Sequence, residues 1–63
     1  MNDTWIDYAA NANYAMLDAI LEMRRAYSTA GEENPIAAIL LERLLKETNE
    51  ISGQIEQLIK AAS

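Results

Sequence analysis

The sequence predicts an all-α fold, an antiparallel hairpin of two long helices. Three observations carry that expectation. Helix formers such as Ala, Leu, Glu and Met dominate, while Val and Phe are absent, so residues that favour strands are scarce. Only two Gly and one Pro interrupt the chain. On either side of one break, apolar residues recur at alternating spacings of four and three, which lines one face of a helix.

The first helix is expected over residues 4–30. Thr4 followed three residues later by Asp7 has the form of a capping box, with Asp in place of the usual Glu. The seam that follows is Trp5, Ala9, Ala12, Met16, Ala19, Met23 and Ala26. Small residues let helix axes approach closely, and Met fills irregular gaps. Asn13 lies on a neighbouring stripe with Ile6 and Ile20, where its amide is placed to hydrogen-bond across an interface. Arg24 and Arg25 stand near the expected end of this helix, where positive charge suits the negative dipole end.

The break falls in Ser28-Thr29-Ala30-Gly31-Glu32-Glu33-Asn34-Pro35. Gly31 is expected to take the left-handed conformation that ends a helix, leaving residues 31–34 as a loop. Asn34 then caps the free amides of the next helix. Pro35 sits at its first position, where the missing N–H costs nothing. A link this short makes the two helices antiparallel neighbours.

The second helix is expected over residues 35–61. Its seam is Ala37, Leu41, Leu44, Thr48, Ile51, Ile55, Leu58 and Ala62, apolar throughout except for Thr48. The Thr48 hydroxyl is expected to bond back to the carbonyl one turn earlier. Ser52-Gly53 interrupts the helix and would permit a bend or a close crossing. Glu42 with Lys46, and Glu56 with Lys60, run in the favourable i, i+4 direction. At 1.5 Å per residue each helix is about 40 Å long.

Both helices carry more apolar surface than one neighbour covers. Outside its seam the first has Ile6, Tyr8, Tyr14, Leu17, Ile20, Leu21 and Tyr27; the second has Ile36, Ile39 and Leu40. A helix apolar round much of its circumference is normally buried on more than one side. One hairpin interface is also a small return on the conformational entropy of the whole chain. The expectation is a homo-oligomer, most simply a dimer forming a four-helix bundle. Trp5, Ala9, Ala12, Met16, Ala19, Met23, Leu41, Leu44, Ile51, Ile55 and Leu58 are the expected helix–helix and oligomer interface.

Composition narrows the function. The chain of 63 residues has 10 acidic and 5 basic side chains, no His and no Cys. His-based catalysis, thiol chemistry, zinc sites built on these residues, haem ligation and disulfides are excluded. A net charge of −5 argues against direct binding to nucleic-acid phosphates or an anionic membrane surface. Neither a membrane span nor a signal peptide is evident, which suggests a cytoplasmic protein. The carboxylate pairs Asp3/Asp7 and Asp18/Glu22 each share a helix face, but they read as a solvated acidic surface. No catalytic, cofactor or metal residue is assigned.

What remains is contact with other proteins. The expectation is a non-enzymatic, small acidic regulator or inhibitor, of the type phages and mobile elements encode, that binds a larger host protein. Aromatic residues concentrate at binding hot spots. The candidate partner surface is therefore Tyr8, Tyr14 and Tyr27, with the acidic Asp3 and Asp7 at one tip and Glu32 and Glu33 at the other.

Two stretches suggest alternatives. Ser52-Gly53-Gln54-Ile55-Glu56 resembles the Ser-Gln-Glu-Leu-Asp signature of small hairpin phosphatases acting on sporulation response regulators. Ile20-Leu21-Glu22-Met23-Arg24-Arg25 is similar to their first helix. That resemblance implies a phosphatase relying on Glu56, which stands where the signature has Asp. Asn34-Pro35, Trp5 and Leu58-Ile59-Lys60 resemble the needle subunit of type III secretion systems, which implies a subunit that assembles into a filament. The chain is shorter than those subunits and is assigned to neither family.

Overall fold

The computed structural model describes residues 4–62. Two helices account for nearly all of them: α1, Trp5–Glu33, and α2, Pro35–Ala62. They lie side by side in a slab 48 Å long, 20 Å wide and 10 Å thick between Cα extremes. The slab is one helix thick, so the hairpin has two broad faces and no enclosed core.

The start of α1 forms as the sequence indicates. The Thr4 hydroxyl accepts from the Asp7 N–H at 3.4 Å, and the Asp7 carboxylate accepts from the Thr4 N–H at 3.0 Å. Two amides that the helix leaves unpaired are thereby satisfied.

The end of α1 corrects the expectation at Gly31. The helix continues through Gly31 to Glu33, and neither glycine takes a positive φ. The four-residue loop shrinks to Asn34 alone, which serves both helices. Its N–H donates to the Ala30 carbonyl at 2.7 Å, closing α1. Its side-chain oxygen accepts from the Ala37 N–H at 3.2 Å, and its carbonyl accepts from the Ala38 N–H at 3.0 Å, opening α2. Asn34 is extended, with φ −152° and ψ 91°. Pro35 favours that conformation, because its ring clashes with a helical residue before it. The chain stops being helical where Pro forces it to, and Gly31 is never needed as the terminator.

This extension also moves the helix end away from Arg24 and Arg25. The last turn of α1 contains no basic residue, and Arg25 instead pairs with Glu22 at 2.5 Å on the helix surface. Thr48 donates its hydroxyl to the Leu44 carbonyl at 2.7 Å, as anticipated. On α2 the Glu56–Lys60 pair forms at 3.5 Å, and Arg43 pairs with Glu47 at 3.3 Å. All are exposed pairs, worth a few tenths of a kcal/mol each.

The contact between the helices follows a stripe seven residues apart: Ile6, Asn13, Ile20 and Tyr27 on α1, and Ala38, Leu45, Ser52 and Ile59 on α2. Ile20 and Ser52, at 5% and 8% exposure, are the two buried residues among those described. The others are half-buried, apart from Tyr27 at the loop end, which is 38% exposed. The Ser52 hydroxyl donates to Asn13 Oδ1 at 2.6 Å and sets the antiparallel register. Residues whose numbers add to about 65 therefore share a level along the hairpin.

Candidate protein interface

The seams counted from the sequence and the stripe that makes the contact are offset by one residue. Trp5, Ala12, Ala19 and Ala26 each precede a contact residue of α1. Ala37, Leu44, Ile51 and Leu58 each precede one of α2. A step back of one residue turns the side chain by about 100° around the helix axis. In two antiparallel helices the same step on both turns the side chains toward the same broad face of the pair. The remaining seam residues lie between the two directions and serve both.

Burial follows this geometry. Ala9, Met16, Met23, Leu41 and Ile55 are half-buried between the helices. Trp5, Ala12, Ala19, Leu44, Ile51 and Leu58 are exposed, Trp5 at 52%. The eleven expected interface residues thus divide between the inside of the hairpin and one broad face of it. Along that face, from Trp5 to Ala26 and from Ala37 to Ala62, neither seam holds an Asp, Glu, Lys or Arg. The face runs most of the length of the hairpin, far longer than the scattered apolar residues ordinary on a monomer.

The opposite broad face is more polar. It holds a shallow groove of about 290 Å3, lined by Ala10, Asn13, Tyr14, Leu17, Ser52, Glu56 and Ile59. The Asn13–Ser52 hydrogen bond forms part of its floor. Glu56 stands at its rim and is engaged with Lys60.

The expected partner residues do not gather into one patch. Tyr14 lies at the groove and is 70% exposed. Tyr8 lies beside the charge-free face, and Tyr27 is drawn toward the helix–helix contact. Asp7 is held in the cap at the open end, and Glu32 and Glu33 are exposed at the end of α1 by the turn. Asp3 lies outside the described residues, so the Asp3/Asp7 pair is not described either. Asp18 and Glu22 form no cluster with a third acidic residue among the described residues. No described helix is long and apolar enough to cross a membrane.

The broad face was legible as a periodic pattern but not as a face. The spacing gives the stripe on each helix; only the register of the pair shows that the two stripes lie side by side. Comparison of the chain with models of protein families, with curated proteins and with solved structures gives no match.

Proposed function

We propose that the protein is a non-catalytic helical module that acts by contact with other proteins, and that it works as a small acidic regulator or inhibitor of a larger host protein. The observation that supports this is the charge-free face formed by Trp5, Ala12, Ala19, Leu44, Ile51 and Leu58. A face of that length and composition is costly to leave in water and gains by being covered. The acidic residues lie outside it, so they bias the choice of partner toward neutral or basic surfaces and act on the rate of encounter. Self-association through apolar surface belongs to the same reading.

The test is affinity capture from the source cell, followed by reconstitution of the complex from purified components. A stoichiometric complex with one larger protein is the expected result. Recovery of no specific partner overturns the regulatory reading. Light scattering that shows growth into long particles as concentration rises favours a structural subunit of a filament instead.

A further inference from the structure

We infer that the charge-free face is covered by a second copy of the same hairpin, in a two-fold dimer whose two turns lie at the same end and whose α1 stacks on the partner's α2. The inference deepens the protein-contact reading by naming one occupant of its face. It does not depend on the identity of any host protein.

Area is the first argument. The single hairpin exposes 5033 Å2. A compact monomer of 7.0 kDa exposes about 4,000 Å2 by the usual size scaling. The excess, about 1,000 Å2, matches the roughly 800 Å2 that each partner contributes to a stable interface.

Direction is the second. In a four-helix bundle each helix contacts two neighbours, and its heptad seam points between them, toward the bundle axis. The seams here do the same. They point neither straight at the other helix nor straight out, but between that helix and the broad face. A hairpin that folded alone would centre each seam on the helix it touches.

Charge is the third. In a chain of net charge −5 a self-contact is opposed wherever acid faces acid. The two seams that line this face bring no acid to the contact.

Shape fixes the orientation. In the middle of the broad face α1 presents Ala12 and Ala19 and α2 presents Ile51 and Leu44, at matching levels set by the Asn13–Ser52 register, while Trp5 is level with Leu58 at the open end and Ala26 with Ala37 at the turn. Ala12 is level with Ile51, and Ala19 with Leu44. With both turns at one end, α1 lies over the partner's α2, and across the middle of the face Ala12 and Ala19 receive the bulky Ile and Leu side chains of the partner at the same level. All four axes can then keep one spacing, about 8–10 Å. With the turns at opposite ends, α1 would lie on the partner's α1. In the middle of the face alanine would then meet alanine on one side while Leu44 met Ile51 on the other. Such a bundle is forced into two unequal spacings.

The experiment uses sedimentation and spin-label distances on the full chain. The wild type is expected at twice 7.0 kDa, with emission from the single tryptophan, Trp5, shifting to the blue as the dimer forms. Ala19→Glu changes an exposed residue of the hairpin to another good helix former, so the substitution does not by itself oppose the helix. It is expected to weaken the dimer at least about 100-fold, whereas Ile39→Asp, on the opposite broad face of the hairpin, leaves the mass unchanged. The chain has no Cys, so Glu32→Cys carries one label per copy. Labels within about 25 Å, two to three helix spacings, are expected. Labels separated by nearly the 48 Å length of the hairpin overturn the orientation. A wild type that remains at 7.0 kDa, or an Ala19→Glu protein that dimerises as tightly as the wild type, overturns the dimer on this face. Either result leaves the capture of a host protein to its own test.

Discussion

Ser52 on α2 donates its hydroxyl to Oδ1 of Asn13 on α1 across 2.6 Å, in the middle of an otherwise apolar contact stripe. Above and below this pair the same stripe carries Ile6 with Ile59 and Ile20 with Leu45. A sliding of one helix past the other by two turns, the seven-residue repeat of the stripe, would bury each polar group against an apolar one, without a partner. The pair therefore selects one register among several that apolar contact alone would tolerate, as a single polar residue does in a coiled coil.

That role makes the two single substitutions unequal to the double one. Ser52→Ala leaves the Asn13 amide part-buried without its donor and is expected to cost about 1–3 kcal/mol. Asn13→Ala is expected to cost a similar amount. The double variant is expected to be less destabilised than the two single effects added together, because no orphan group remains. Urea unfolding at one fixed protein concentration measures the cycle, and strict additivity would show that the hydrogen bond contributes nothing.

Thr4→Ala removes one half of the capping box. The expected loss is about 1 kcal/mol of stability, with faster amide exchange confined to the first turn of α1. Exchange rates at Ile6 to Tyr8 equal to those of the wild type would show that the box is not a stabilising element.

Gly53 is helical, with no positive φ, and a methyl group added there meets nothing within 4 Å. Gly53→Ala is expected to stabilise the protein by about 0.5–1 kcal/mol, since glycine loses more backbone freedom on folding. Gly53 lies on the polar side of the hairpin, away from the charge-free face, so dimerisation should not change the sign. A lower melting temperature in Gly53→Ala would mean that another chain packs closely against that position.

The turn depends on Asn34 and Pro35 together. In the variant carrying both Asn34→Ala and Pro35→Ala nothing obliges residue 34 to leave the helical conformation. The two helices can then join into one rod of about 85 Å at 1.5 Å per residue. Small-angle scattering is expected to show a longer maximum dimension than the wild type, through open chains paired with one another. An unchanged dimension would place the control of the turn in the helix–helix contact instead.

The two resemblances seen in the sequence meet the geometry at a few positions. Glu56, on which a phosphatase would rely, lines the groove beside Tyr14 and Ser52. Asn34-Pro35, which carries the other resemblance, lies at the start of α2. Neither observation draws on the long charge-free face, which is the larger feature of the molecule.

The sequence by itself determined the two helices, the cap at Thr4, the second start at Asn34-Pro35 and the stripe of apolar residues on each helix. These are local properties, set within three or four residues by capping, by the proline ring and by side-chain period. It misplaced the end of the first helix, because Gly31 permits a left-handed turn without requiring one, whereas Pro35 does constrain the residue before it. The tertiary structure decided which part of each stripe faces the other helix. Periodicity fixes a direction around a helix axis but not the object in that direction. Pairing of Asn13 with Ser52 fixed the register, sent Ile20 and Ser52 inward, and left Trp5, Ala19, Leu44 and Ile51 together on one open face.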